Sequence, residues 1–375
     1  MSRAYLDHAA SSPVLPAAVE AMRPLLGVPG NPSSLHTSGR TMRRHLEEAR
    51  ESLAADLGAR PAEVVLTSGG TEANNLALLG SLPYLAEGAS IAVSAVEHPS
   101  VADVGQRWPR LVHLPVDPGG HLDLSSCADL LPGVGLISVM WVNNETGAIQ
   151  PITDVTELAR GTGARVHSDA VQAFGHLPID FAASGLDLMS ISAHKIGGPV
   201  GIGALVVRRG VPLRPVGFGG QQEAEIRSGT VPVALAAGFA AAARQASERL
   251  RDESRRLASL RERVLSGLPA LVPEATVNGT APVSPAILNI TVPGTRADDV
   301  LLGLDAAGID CSTGSACSAG VHQPSEVLLA MGRSMAHAAA SLRFSFGPST
   351  TTADVQALLA ALPAAVRRAR AAFGA

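Results

Sequence analysis

Lys195, in "SAHKIGG", is the only lysine of a 375-residue chain whose 29 basic residues are otherwise all arginine. A guanidinium serves hydration and ion pairing at least as well as an ammonium, so an arginine-only surface raises no chemical question. A lysine does raise one, because its amine can lose a proton, attack a carbonyl and form an imine, and a guanidinium cannot. The bland reading of Lys195 is the last survivor of a lysine-poor composition. Its neighbours must decide.

Other polar residues recur just beyond β-rich runs. Thr71 follows "VVLTSGG", His98 follows "IAVSAVE", Asn144 follows "ISVMWVN", Asp169 and Gln172 follow "ARVHS", and Lys195 itself follows "LMSISAH". Singly, such an Asn or Asp is more often a turn or helix cap, and a His beside a Pro is more often a satisfied loop residue. Together they feed one rim. "TSGGTEANN" adds small residues where a strand meets a helix start, a place for backbone N–H groups and the helix dipole to hold a phosphate. It has neither the lysine-serine ending of a nucleotide P-loop nor three-glycine dinucleotide spacing, and "GIG" at 201–203 precedes a strand instead of opening a helix. Phosphate, imine-forming lysine and carboxylate are the three handles of pyridoxal 5'-phosphate. Asp169 is the candidate to keep the pyridine nitrogen protonated, Gln172 and Asn144 are candidates for the ring's phenolate oxygen, and His98 is placed to lie over the ring and move protons.

These groups need a scaffold. Between about residues 45 and 240, short β-rich runs alternate with helical segments, the pattern of a mostly parallel sheet covered by helices. In such open sheets ligands sit beyond the carboxyl ends of the strands, where the polar clusters fall. After a long amphipathic helix near 238–268 come "AILNITV" and "SLRFSFG", strands of a smaller α+β unit. A net charge of −4 and 3% aromatics give no basic face or stacking platform for nucleic acid. The start lacks a signal-peptide core, and the longest apolar run, "VPVALAAGFAAAA", is too short for a bilayer, so a soluble cytoplasmic protein without membrane contact is expected. Cys127, Cys311 and Cys317 form no CxxC pair, which argues against structural disulfides and metal.

The motifs resemble those of cysteine desulfurases, in the class V aminotransferase group of pyridoxal-phosphate enzymes. "YLDHAASSPV", "GNPSSLHTSGR", "VLTSGGTEANNLA", "VEHPS", "VNNETGAIQPI", "VHSDAVQAFG", "DLMSISAHKIGGPVGIGAL", "RSGT", "STGSACSAG" and "SLRFSFG" occur in the family's order, through about residue 347. The resemblance implies an aspartate-aminotransferase-like fold of type I, with a large seven-stranded-type sheet domain (16–245) and a small domain from both chain ends (1–15 and 246–375). It implies that Lys195 holds the coenzyme covalently, Asp169 pairs with the ring nitrogen, Asn144 and Gln172 contact the ring oxygen, and His98 stacks on the ring. Gly70, Thr71, Ser192 and His194 would hold the phosphate, with Thr230 arriving from the other subunit of a homodimer. Asn31 and Arg343 would bind the substrate, L-cysteine. Cys317, in the small-residue run "CSTGSACSAG", would attack the substrate's sulfur, keep it as a persulfide and release alanine. A sulfur-acceptor protein, for iron–sulfur assembly or for tRNA or cofactor thiolation, would follow. Cys311 reads as core filler before a second sulfur carrier, and Cys127 has no assigned role.

The pattern departs at two places. "GGQQEAEIRSGT" has Ala224 and Glu225 where the family usually has Arg-Gly, exchanging a positive charge for a negative one near the expected subunit boundary, and Val200 stands where a lysine is common. The end at Ala375 is expected to leave out the tail with which longer members dock an iron–sulfur scaffold. A selenocysteine lyase, or an aminotransferase or β-lyase with an incidental Cys317, would keep the same coenzyme contacts. A non-catalytic binding protein on this fold would not need so complete a set.

Overall fold

The computed structural model describes residues 3–314 and 324–373. Its strands are β1 (Ala4–Tyr5), β2 (Val64–Thr67), β3 (Ser90–Ser94), β4 (Leu111–Leu114), β5 (Val134–Ser138), β6 (Arg165–Asp169), β7 (Leu188–Ser192), β8 (Gly203–Val207), β9 (Thr276–Asn278), β10 (Ile287–Thr291), β11 (Ile309–Asp310) and β12 (Ser341–Ser345). Seven of them make one sheet in the order β2-β8-β7-β6-β5-β3-β4. Only β8 runs against its neighbours, so β2, β3, β5, β6 and β7 all point their carboxyl ends to the same rim. β7 and β8 are buried along their whole length, which explains why "LMSIS" and "GALVV" read as continuous apolar or small runs without alternation.

Four helices near the start matter for the site: α1 (Pro16–Met22), α2 (Thr37–Leu57), α3 (Gly70–Ser81) and α4 (Pro99–Gln106). α2 buries Met42, Leu46, Ala49, Leu53 and Leu57, a stripe at helical spacing, and stops at Gly58, whose left-handed φ of 63° suits glycine. α3 starts against the sheet: a Cβ on Gly70 would come within 2.7 Å of Val171 Cγ2. Gly203 answers a second close approach, since a Cβ there would lie 2.6 Å from the Ile191 carbonyl oxygen and 2.8 Å from the Gly69 backbone. The glycine of "GIG" thus serves strand packing.

The smaller unit joins an antiparallel sheet, β12-β10-β9, to the parallel pair β1–β11. The chain's start reaches it directly, with Asp7 bridging to Ser345. A 39-residue helix, Val233–Leu271, spans the expected domain boundary at 245 without a break, so a rigid element and not a loop connects the two units. It begins five residues earlier than its amphipathic pattern indicates, because Pro232 precedes a run of small residues, Ala236 to Ala243, that packs closely. Among the described residues, no helix is long and apolar enough to cross a membrane.

Candidate active site

Lys195 ends a short turn, Ala193–Lys195, immediately after β7. Its Nζ donates to the carbonyl oxygens of Ala9 and Ala10, at 2.6 and 2.9 Å, so the chain's start lies across it. Burial, reinforced by the charge of Arg343, pushes the amine down to about 8, while Asp169 and Asp7 oppose the fall. At about pH 7 an amine with that value is neutral roughly one-tenth of the time, against less than one-thousandth for an ordinary lysine.

Asp169 closes β6 and is buried. Its Oδ1 accepts from the Val171 amide at 2.9 Å and its Oδ2 from Asn74 Nδ2 at 2.7 Å. His98 caps α4, accepting from the Ser100 amide at Nδ1, and burial holds its imidazole below the usual value. Gln172 Nε2 donates at 2.8 Å to the Ala9 carbonyl that Lys195 also uses. His194 lies 3.4 Å from Ser11 Oγ, and burial, then the Lys195 charge, brings its ring down to about 4. Asn144 Oδ1 and Ser192 Oγ are among the buried polar atoms at this rim that have no partner. The N-terminus of α3, with Gly70 and Thr71, has no side-chain cap. Partnerless polar atoms, an uncapped helix start, a carboxylate and a readily neutralised amine are the features an anionic, carbonyl-bearing ligand would use.

Arg343 lies on β12, in the smaller unit, yet reaches the same rim. Its Nη1 donates to the Asn144 carbonyl at 2.9 Å and its Nη2 to Asp7 Oδ1 at 2.8 Å, leaving Nε buried without a partner. The expected carboxylate clamp is therefore already held by a carboxylate of the chain's own start.

Asn31 and Thr230 do not join this group within one chain. Both line a separate cavity of 630 Å³, with Arg50, Gln222 and Glu223, and its walls include none of Lys195, Asp169, His98 or Arg343. Thr230 is expected to act from a second subunit and Asn31 beside the substrate; the single chain places both in this cavity, away from Lys195. Glu223 is buried there in a two-pronged ion pair with Arg50, both contacts at 2.7 Å, and also accepts from the Leu66 amide. The exchanged residues Ala224 and Glu225 adopt left-handed φ values of 55° and 63°.

Cys317 lies outside the described residues. Burial pushes the Cys311 thiol up to about 12, with Asp7 adding to the effect, and the Cys127 thiol up to about 11. Neither is a competent thiolate near neutral pH. Among the described residues no group of His, Cys, Asp and Glu could hold a metal.

The sequence reading gave no role to Asp7, Asn74, Glu97 or Ser100, all of which the fold ties to the rim. All four sit inside quoted motifs, Asp7 in "YLDHAASSPV", Asn74 in "VLTSGGTEANNLA", and Glu97 and Ser100 in "VEHPS", but nothing in those motifs shows which polar partner each would meet.

A family model described as Aminotransferase class-V matches residues 4–358. The chain is 47% identical to an IscS-like cysteine desulfurase of Mycobacterium tuberculosis, over 98% of this chain and 97% of that protein. It is 39% identical to a cysteine desulfurase of Sinorhizobium fredii, over 98% and 97%. A solved NifS-like protein from Rickettsia africae superposes with a TM-score of 0.90 at 31% identity, covering 97% of this chain and 99% of that one.

Proposed function

Since the chain belongs to the aminotransferase class-V family and is a pyridoxal-phosphate-dependent cysteine desulfurase, we propose that Lys195 is the coenzyme's covalent anchor and Cys317 the sulfur acceptor. The observation that carries the reading is the only side-chain amine of the chain, half-buried at the carboxyl rim of the sheet and brought down to about 8. The residues around it fit the coenzyme. Ser192 Oγ and Asn144 Oδ1 are buried without partners, α3 offers an uncapped N-terminus, and Asp169 supplies a buried carboxylate.

When bound, pyridoxal phosphate supplies a carbonyl for amines and a ring that accepts electrons from the bonds around the substrate's Cα. Lys195 contributes the amine that holds it. Asp169 keeps a proton on the ring nitrogen through a charge-assisted hydrogen bond worth roughly 1.5–3 kcal/mol. Gly70, Thr71, Ser192 and His194 hold the phosphate, and Asn144 and Gln172 contact the ring oxygen. Arg343 binds the carboxylate of L-cysteine, exchanging Asp7 for the substrate, a task suited to its planar fork. The thiolate of Cys317 takes the sulfur as the substrate's C–S bond breaks, and the carbon skeleton gains a proton and leaves as alanine.

A homodimer follows the same reading, with Thr230 and the neighbouring Asn31 serving a partner's site. Leu26, Val28, Leu35, Val200, Val216 and Phe218 are large apolar side chains left exposed on the single chain, Phe218 at 87% and Leu35 at 85%, which supports their being covered by a second copy. The division at residues 1–15, 16–245 and 246–375, the cytoplasmic location, and transfer of the persulfide sulfur to an acceptor protein belong to the same proposal. Mass spectrometry after incubation with cysteine tests it. The expected result is one added sulfur on Cys317 with alanine formed, both lost in Cys317→Ala. An unmodified Cys317 while alanine accumulates would mean that the enzyme works without this relay.

A further inference from the structure

A continuous run of hydrogen bonds joins Asp169 to His98 through two residues that the reading above leaves without a role. Asn74 Nδ2 donates to Asp169 Oδ2 at 2.7 Å and to Ser100 Oγ at 2.8 Å, and Ser100 Oγ lies 2.8 Å from His98 Nδ1. Asn74 and Ser100 are buried and His98 is half-buried.

What each atom can carry gives every bond a direction. An ionised carboxylate only accepts, so the Asn74 group facing Asp169 is the NH₂. Its two protons are then both in use, one on Asp169 and one on the Ser100 oxygen. Since that oxygen accepts from Asn74, the Ser100 hydroxyl proton is directed to His98 Nδ1. The Ser100 backbone N–H also donates to Nδ1, at 3.1 Å, as the first bond of the α4 cap. Two donors converge on one ring nitrogen. Nδ1 therefore carries a lone pair, and the proton of the neutral ring is on Nε2.

We propose that Asn74 and Ser100 are positioning residues that lock His98 in the Nε2–H tautomer, so that in its resting state the histidine offers the site a hydrogen-bond donor and no base. To accept a proton the ring would have to use Nδ1, which breaks both bonds and uncaps α4. Asp169 takes part at the far end of the run: its charge fixes the Asn74 amide orientation and, through it, the histidine tautomer. Burial and the Lys195 charge keep the imidazole neutral against the opposing pull of Asp169 and Asp103. The catalytic relevance rests on reading His98 and Asp169 as coenzyme contacts; the tautomer itself is a property of the chain.

Histidine-selective nitrogen NMR reads it, on the chain with and without pyridoxal phosphate, His98 being assigned by its loss in His98→Asn. The expected parent spectrum has a bare Nδ1 and a proton on Nε2. In Asn74→Asp, either protonation state of the new carboxyl presents an acceptor to Ser100. The Ser100 proton turns away, its oxygen accepts from the ring, and a substantial Nδ1–H population appears. Ser100→Ala keeps the backbone donor and shifts the population in the same direction by less. Asn75→Ala, which removes bonds to the Thr71 and Ser100 carbonyls but leaves the run intact, keeps the parent tautomer and controls for loosened packing. A proton on Nδ1 in the parent overturns the proposal, as does an unchanged tautomer in folded Asn74→Asp or, should that variant not fold, in Ser100→Ala. A chain with the expected tautomer that takes up no coenzyme would count against the coenzyme contacts instead, so the two failures are distinguishable.

Discussion

Glu97→Gln should reverse the usual expectation that neutralising a charge near an active site weakens a protein. Glu97 lies three residues beyond β3 and is buried. Its Oε1 accepts from Ser94 Oγ and the Met140 amide, both at 2.6 Å, while Oε2 is buried with no partner. Burial, and to a lesser extent the charge of Asp169, pushes this acid up from 4.5 to about 8, although its two hydrogen bonds pull the other way. The folded chain thus holds a proton that the unfolded chain loses once the pH passes the ordinary carboxylate value. Stability is intact below that value and falls as the pH rises toward 8, by about 1.4 kcal/mol per pH unit, on the order of 4 kcal/mol over the window. Glutamine reproduces the protonated acid: its oxygen accepts the same two bonds, and its NH₂ takes the place of the partnerless Oε2. Leaving that NH₂ unpaired costs roughly 1–3 kcal/mol, about as much as the unpaired acid proton it replaces. Denaturant unfolding of the coenzyme-free chains at several values between about pH 5 and 8 is the assay. The variant should match the parent within about 1 kcal/mol at the acid end and exceed it by on the order of 3 kcal/mol at the alkaline end. A stability difference that stays flat with pH, or grows in the parent's favour as the pH rises, would refute an enclosed, protonated Glu97.

Other outcomes follow from the same geometry. Lys195→Arg keeps a positive charge but removes the only side-chain amine, so the purified variant should be colourless with pyridoxal phosphate and form no alanine; a persistent yellow band would mean another anchor. Arg343→Gln removes the positive charge nearest in effect to Lys195, and the lysine's titration midpoint should climb above about 8. With one lysine in the chain, the pH dependence of labelling by an amine reagent, mapped to the Lys195 peptide, reads that midpoint without ambiguity. A midpoint that stays put or drops would remove Arg343 from the account. Glu225→Gly places the residue free of Cβ strain at a φ of 63°, and should raise stability by roughly 1 kcal/mol in thermal or denaturant unfolding. No gain there would mean that the Glu225 side chain compensates for its backbone.

The large sheet was legible because each strand leaves a local signature, an apolar run ended by glycine or a polar cap, and because parallel strands gather their carboxyl ends on one rim. Thr71, His98, Asn144, Asp169 and Lys195 could be grouped on that basis before any coordinates. What surrounds them could not. The acceptors for Lys195 Nζ are the Ala9 and Ala10 carbonyls, and a backbone oxygen has no sequence signature. Asn74 touches Asp169 across 95 positions of sequence, and only the docking of α3 on β6 brings the two together. Asn31 shows a different limit: a residue placed by motif order lies, in the single chain, in a cavity whose other walls come from α2, β2 and the loop around Glu223. Motif order carries a residue's identity; it carries no information about which cavity of the fold the residue lines.

The chain's start explains why position 195 holds a cation. Asp7 occupies Arg343, and the carbonyls of Ala9 and Ala10 occupy Lys195, so a single short segment engages both the proposed anchor and the proposed carboxylate clamp. The Ala9 carbonyl also receives Gln172, and Ser12 Oγ bonds the Lys195 carbonyl. An arginine at 195 could satisfy those carbonyls equally well, since it too is a multiple donor. It would not respond to its surroundings, because burial and a neighbouring Arg343 that bring an amine to about 8 leave a guanidinium charged. The carbonyl clamp therefore accounts for a cation at this position but not for the choice of lysine. The proposed anchor role needs a neutral nucleophile in useful amount, and the burial that depresses the amine, together with the positive charge beside it, supplies one.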